Sequence, residues 1–543
     1  MSAPPLPRNA EYDLSVLWST GTDADTSEYD NPSYSNKPGI NVNSLGRDAA
    51  RAYAPPATPA CDFTLPNYDG RYSPGGTLGL FVGRGPDVAL TANWGTDVTV
   101  DDASVLVDDP DVLVDGTAPF PLFSGNIDTA DQEIDRATAS VSVRALGKSA
   151  LLNEQTPVIA LSENIRTDQA IALVLDAVGW PADERVLDEG DTDLLYFWSN
   201  GDTSAAQLIN QILGAEGVPS CAYEDSRGYF HFEGRQFRAN NTRSSEIQWN
   251  LFDGTVGAYN ATVDDPSVFV DDPNVFVDGP LDSLLFHIVP ATWSANPDEV
   301  VRQVRASVNV RTPTSTQKVW EYGGTLTLAA NEVRDLEPTD SDPFKSAVTP
   351  VAATDYTVSV GSLASVSLLQ TSGQTVTLRL TAGASGATVL GVTSNGIQLR
   401  AVSLPVTTTV PVTSTVDTDL SAARFRPKDH TINLYPEIAP NQALDLCNNF
   451  ARRYQRPRDQ MTVQMVNINA DHMYALLHMQ ISDRVHVRHQ RAAINSDFYI
   501  ESMSFGLTDG GGLLRGTLNL ERVTDDVPAR YGTARYGFDS YTE

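Results

Sequence analysis

Carboxylates, imidazoles and thiols are unevenly stocked in this chain of 543 residues: 69 acids, seven histidines and three cysteines against 37 basic residues. The acids gather in one feature that could do chemistry. Val100-Asp-Asp-Ala-Ser-Val-Leu-Val-Asp-Asp-Pro-Asp-Val-Leu-Val-Asp-Gly116 matches Val263-Asp-Asp-Pro-Ser-Val-Phe-Val-Asp-Asp-Pro-Asn-Val-Phe-Val-Asp-Gly279 at 13 of 17 positions, offset by 163 residues. Paired carboxylates followed by glycine are raw material for an oxygen-ligand Ca²⁺ site. The 12-residue spacing of an EF-hand is missing, however, and an edge hairpin whose outward acids block strand pairing explains the same residues. The histidines are His231, His287, His430, His472, His478, His486 and His489. His486 and His489 are oddly spaced for one face of a strand, and His472 and His478 lie six apart, poor helical spacing for chelation. No HExxH occurs.

Cysteine chemistry fares no better. Cys61, Cys221 and Cys447 are odd in number and far apart, which suggests neither a disulfide framework nor a metal clip. Cys447 is expected on the apolar face of a helix and Cys221 at the start of a strand, so neither reads as a nucleophile with a histidine base. There is no GxSxG elbow, P-loop or strand-linked GxGxxG. A glycosidase needs two carboxylates, a condition that 69 acids satisfy uninformatively. The sequence assigns no catalytic, cofactor-binding or metal-ligating residue.

The net charge of −32 disfavours binding to a nucleic-acid duplex, because an acidic surface repels phosphate. Arg302, Arg305 and Arg311 are expected to pair with neighbouring acids instead. Only five lysines occur, and such a Lys-poor, Asp-rich balance fits either a high-salt setting or a GC-rich coding sequence. The first residues lack a signal-peptide layout, and no stretch is apolar for the ~18 residues a membrane helix needs.

Most of the chain reads as strands, with Val/Thr/Ser runs between Gly, Asp, Asn and Pro punctuation. Leu514, Gly516, Leu518 and Leu520 alternate with polar residues, as in a half-buried strand. Helices are expected from Thr167, with Thr167 as N-cap and Gly179-Trp-Pro181 as the stop, from Thr203, and over Gln442–Tyr454. Asp225-Ser-Arg-Gly228 should turn a hairpin. The reading is mainly β with a small α/β module. Its divisions are 1–148, a first β-domain; 149–245, the α/β module; 246–345 with 425–525, a second β-domain carrying helix 442–454; 346–424, an inserted, charge-poor β-sandwich; and 526–543, a tail. The repeat, one copy in each β-rich region, hints that the two β-domains are related.

The order of segments resembles the central tail-tip hub (tail-associated, minor tail) proteins of siphovirus-type tailed viruses. The residues carrying it are Asp62-Phe-Thr-Leu-Pro-Asn-Tyr-Asp-Gly-Arg-Tyr-Ser-Pro74, Pro121-Leu-Phe-Ser-Gly-Asn-Ile-Asp128, Thr167 to Pro181 and Gly190-Asp-Thr-Asp-Leu-Leu-Tyr-Phe-Trp198. Ala443 to Tyr454, Ile481-Ser-Asp-Arg-Val-His-Val487 and Asp497-Phe-Tyr-Ile-Glu501 follow. The resemblance implies a homotrimer in the virion, with two β-barrels per chain around the tail axis mimicking six-fold symmetry. It implies contacts with a distal tail protein ring or tail tube, a tape measure protein, and a tail fibre or receptor-binding protein. It implies no cofactor, no enzyme activity, no specific nucleic acid and no membrane insertion. Longer family members continue into a hydrolase or receptor-binding extension; this sequence stops at Glu543, so receptor binding is expected to fall to a partner. A tailed bacteriophage or an archaeal virus would fit equally. The competing reading is a Ca²⁺-stabilised β-domain adhesin or surface-layer protein, which explains the acidity but not the helical module between the repeats.

Overall fold

The computed structural model describes residues 10–17, 40–47, 55–66, 87–94, 97–98, 113–114, 119–134, 139–253, 260–261, 276–277, 285–288, 291–295, 300–392, 396–415, 428–489, 492–508 and 513–523. As expected, strands dominate, and thirteen of them share one hydrogen-bonded sheet. Its first half runs Glu11–Leu17, Asp87–Asn93, Pro119–Ile134, Ala139–Leu146, Ala60–Pro66 and Asn41–Gly46, antiparallel throughout.

Asn41–Gly46 then pairs antiparallel with Ile494–Thr508, joining the two ends of the chain. From Ile494–Thr508 the second half runs one way through Leu513–Arg522 and Asp459–Val466 to Ala291–Ala295. The other way it runs through Arg484–His489 and Ile247–Phe252 to Leu285–His287. Leu285–His287 and Ala291–Ala295 therefore bond to opposite ends of this half. They are neighbours in sequence and, by the chain of pairings, point the same way. Hydrogen bonds do not close a barrel among the described residues.

The sheet forms because its strands alternate. In Leu513–Arg522, Leu514, Gly516, Leu518 and Leu520 turn inward while Arg515 faces water. Val42 and Phe63 of the first half share one apolar core with Met461, Ile500 and Leu518 of the second.

The sequence repeat is also a structural one. Asp97–Val98 pairs parallel with Leu113–Val114, and Asn260–Ala261 pairs parallel with Phe276–Val277, each residue displaced by the same 163 positions. Most of the Asp-rich stretch lies outside the described residues. Each copy sits between two strands of the large sheet. Those flanking strands are antiparallel in the first half and parallel in the second.

Seven helices occur among the described residues: α1 Ala150–Glu154, α2 Thr167–Ala177, α3 Ala205–Glu216, α4 Phe237–Asn240, α5 Thr242–Ser245, α6 Pro440–Arg453 and α7 Ala470–His478. Helix α2 starts at Thr167, but Arg166 is its cap, and the Thr167 hydroxyl donates instead to buried Glu216 at 2.6 Å. Helix α3 starts at Ala205, two residues after the expected Thr203, with Ser204 as its cap accepting from the Gln207 N–H. Pro440 opens α6 two residues before the expected start, a favoured place for a residue with no N–H to lose. Helix α7 is absent from the sequence reading, although Asn469 caps it through the His472 N–H. The hairpin at 225–228 forms as expected, pairing Cys221–Glu224 with Phe230–Glu233.

Helices α2, α3 and α6 bury Val174, Ile212 and Phe450 in a second core with Val304 and Val308 of the strand Val301–Arg311. That strand pairs with Val406–Thr415, and Arg311 opposite Val406 marks where an inserted unit leaves and returns. Its strands run from Gln317 to Ser403 in two small sheets with their own apolar clusters.

Gly214 of α3 shows how tightly this second core is tied. The Tyr435 N–H donates to the Gln211 carbonyl at 2.8 Å, and a Cβ on Gly214 would stand 2.2 Å from the Asn433 carbonyl oxygen. In an open helix Gly→Ala stabilises by about 1 kcal/mol. Here the backbone clash reverses the sign: Gly214→Ala is expected to lower stability by about 1–3 kcal/mol. Chemical denaturation checks this, and a more stable variant would refute the close packing.

Candidate functional site

Arg47 leaves the first half of the sheet, α4 belongs to the α/β module, and Glu501 lies on the central strand of the second half. All three meet at the Glu501 carboxylate. Gly46 makes the approach possible: at φ 103° its missing Cβ would stand 2.6 Å from the Glu501 carbonyl oxygen, so any side chain would push the strand away. Arg47 Nε then lies 2.8 Å from Glu501 Oε2. Its Nη2 donates to the Pro219 and Ser220 carbonyls at 2.8 and 3.1 Å.

Arg238 of α4 grips the same carboxylate from the module, Nη1 to Oε1 at 2.7 Å and Nη2 to Oε2 at 2.9 Å. Its Nε donates to Ser482 Oγ at 3.2 Å, and the guanidinium stacks 4.5 Å over Tyr499. Ser482 passes its proton-bearing bond on to Glu233 at 2.5 Å, and Glu233 also accepts from Tyr223 OH at 3.1 Å and Cys221 Sγ at 3.2 Å. Arg47, Arg238, Glu233 and Glu501 are all buried. Two guanidinia thus face two carboxylates in a space shut off from water.

Burial alone would raise the Glu501 carboxyl pKa. The Arg238 and Arg47 charges outweigh it and hold the group down at about 2. The Tyr223 hydroxyl is driven well above its ordinary value by burial and by Glu233, so it stays a donor.

Two further acids repeat the pattern. Glu521 of the strand Leu513–Arg522 takes Arg458 at 2.6 Å and, at the end of α6, Arg453 at 3.7 Å and Tyr454 OH at 3.4 Å. Asp483 takes Arg243 of α5 through two bonds of 2.7 Å and the Trp249 indole N–H at 3.0 Å. Sequence reading missed all three. The partners lie at least 63 positions apart, and the one visible signal was acid or arginine inside apolar strand patterns, as in Phe498-Tyr-Ile-Glu501.

The residues singled out from sequence are scattered. His231 bonds Asp225 at 3.0 Å and stacks on Tyr223. His486 bonds Asp497 at 2.6 Å, and His489 meets Asp253 at 3.1 Å. His478 bonds the Tyr474 carbonyl, and His430 stacks on Phe450. His472 accepts the His287 backbone N–H at 2.8 Å, and burial lowers its pKa to about 4, so the ring is neutral there. All three cysteines are free and buried, and burial raises each thiol above its ordinary value. No group of three or more His, Cys, Asp or Glu that could hold a metal occurs among the described residues. Arg302 and Arg305 share Asp429, and Arg311 pairs with Glu437 at 3.0 Å, so the expected pairing with acids holds. No helix among the described residues is long and apolar enough to cross a membrane.

No protein-family model and no curated protein matches the sequence. Among solved structures, the tail protein from Neisseria meningitidis MC58 is similar over 94% of this chain and 96% of its own, at 10% identity and a TM-score of 0.46. The fold resembles phage tail proteins. The 43 kDa tail protein of prophage MuSo2 from Shewanella oneidensis is similar over 95% of this chain and 99% of its own, at 10% identity and a TM-score of 0.44. Prophage tail protein gp18 from Listeria monocytogenes EGD-e is similar over 94% of each chain, at 9% identity and a TM-score of 0.40.

The junction dictates a response to mutation and to acid. Glu501→Gln leaves two guanidinia buried without a counter-charge and is expected to cost about 3–5 kcal/mol at neutral pH. The wild-type group has a depressed native pKa, so its stabilisation is complete above the unfolded value of about 4.5 and fades as pH falls toward about 2. Urea titrations across that range should show the two proteins converging in acid. A constant difference would mean that Glu501 is not ionised in the fold.

Proposed function

We propose that the chain is a structural virion protein, a homotrimeric hub closing the distal end of a viral tail tube. The observation that carries this reading is the doubled β-architecture. The 163-residue repeat recurs as the same short parallel pairing, once in the chain between two strands of the first sheet half and once between two strands of the second, and the two halves are joined edge to edge. Three such chains would present six similar units around one axis, as the family resemblance of the sequence implies.

In this reading 1–148 and the second β-domain form the ring, 149–245 braces it, and the inserted unit, whose strands run from Gln317 to Ser403 rather than only within 346–424, faces outward toward fibre or receptor-binding partners. The hub links the distal tail ring or tube, with its tape measure protein, to those fibres and opens for DNA. The net charge of −32 suits a lumen along which phosphates slide without adhering. Buried ionic junctions suit a part that transmits force without coming apart, and no step of the role calls for catalysis.

Light scattering on the purified protein is expected to give three times the chain mass of 58.6 kDa. A single-chain mass under every condition, with an elongated shape, would instead favour the adhesin reading.

A further inference from the structure

The hub reading requires copies of a chain with charge −32 to meet, which places like charges face to face unless some surface offers the opposite sign. One corner does. The Val301 N–H donates to the Tyr454 carbonyl, the Lys428 N–H donates to the Val300 carbonyl, and His430 stacks on Phe450 at 4.3 Å. These contacts gather the strand Val301–Arg311, the strand Lys428–Thr431 and the C-terminal end of α6 at one place. The cations they carry there are Arg302, Arg305, Lys428, Arg452 and Arg456, and all five are exposed.

Their partners are few. Arg302 and Arg305 share the single carboxylate of Asp429 at 3.0 and 2.9 Å. Lys428, Arg452 and Arg456 make no ion pair among the described residues. The nearby acids are otherwise engaged: Glu521 takes Arg453 and Arg458, and Asp459 takes Arg522 at 2.7 Å. Asp445, one exposed acid on α6, lies two turns before Arg452. In a protein with nearly two acids per base, three exposed cations without a partner at one corner are a surplus that the fold does not consume. Arg452 has a local role as well, since a cation near a helix C-terminus favours the dipole. Neither Lys428 nor Arg456 has that role.

We propose that this basic corner docks on the acidic surface of a second copy of the chain, and that it is the contact through which copies associate. The inference rests on the trimeric reading. A second copy is the favoured occupant because its net charge of −32 is opposite in sign to the corner. A DNA duplex would have to cross the repulsion of the whole chain to reach the same corner.

The test compares wild type with the triple variant Lys428→Gln/Arg452→Gln/Arg456→Gln, which removes charge without placing an acid at the helix end. Light scattering is run at about 0.05 M and about 1 M NaCl, where the Debye length shrinks from over ten to a few ångströms. Thermal unfolding verifies that the variant is folded. The expected result is a threefold chain mass for wild type at low salt that falls as salt rises, and a single-chain mass for the folded variant at low salt. A variant that keeps the wild-type mass overturns the docking surface and leaves the hub reading standing. Wild type that is a single chain in every buffer overturns both. If the variant instead keeps its mass and loses affinity for a fluorescent DNA duplex that wild type binds, the corner is a phosphate contact and the proposal fails.

Discussion

The Glu501 carboxylate is the constraint around which the molecule is arranged. Removing a carboxylate from water costs several kcal/mol unless charge and hydrogen bonds replace the solvent. The replacement comes from two segments far away in sequence. Arg238 stands 263 positions before Glu501, and Arg47 lies near the start of the chain. Neither half of the sheet nor the module can adopt its final position alone without leaving a charge buried and uncompensated. The junction is therefore a condition on the relative placement of three parts, over and above the apolar area they share. Its cations are arginines for a physical reason: a rigid planar fork of five N–H donors binds both oxygens of one carboxylate through two parallel bonds, a geometry a lysine ammonium does not offer.

The other buried acids follow the same logic with different donors. Glu216 closes α3, where the helix dipole is unfavourable to an anion. It is satisfied by the backbone N–H groups of Asp191, Thr192 and Arg235 and by the Thr167 hydroxyl. Asp483 and Glu521 use arginines of α5 and the α6 end. An acidic chain thus spends part of its limited arginine stock inside, as connectors. Whatever the origin of its Lys-poor composition, few exposed cations among the described residues lack an ion pair, which is why the three at Lys428, Arg452 and Arg456 have meaning.

Legibility from sequence divides along the same line between local and distant. Helices α2, α3 and α6, the 225–228 hairpin and the strand Leu513–Arg522 were readable because caps, turn residues and periodicity lie within a few positions of one another. The 163-residue repeat was readable because duplication leaves identical residues. The ionic junctions were not readable, since no local pattern distinguishes a strand glutamate that faces water from Glu501. Helix α7 gives only a weak local signal: its cap, Asn469, is one residue in an ordinary polar stretch. Thr167 was read as a cap because its type suits one; the demand of buried Glu216 for a fourth donor moved it into the helix.

The seam between Asn41–Gly46 and Ile494–Thr508 follows from these constraints and sets how the β-halves relate. Val42 and Phe63 of the first half pack in one core with Ile500 and Leu518 of the second. A contact between the chain's two ends carries a large loop-closure entropy and forms only once the intervening parts have shortened the loop. The module shares its core with Val304, Val308 and Phe450 from later in the chain, and through Arg238 and Arg243 it holds Glu501 and Asp483 in place. Arg47 then finds a preformed pair, carboxylate and carbonyls, rather than two free segments. Along this seam the glycine at position 46 is where a side chain would collide with the backbone of Glu501 itself, so the seam and the ionic junction impose one shared condition on the chain.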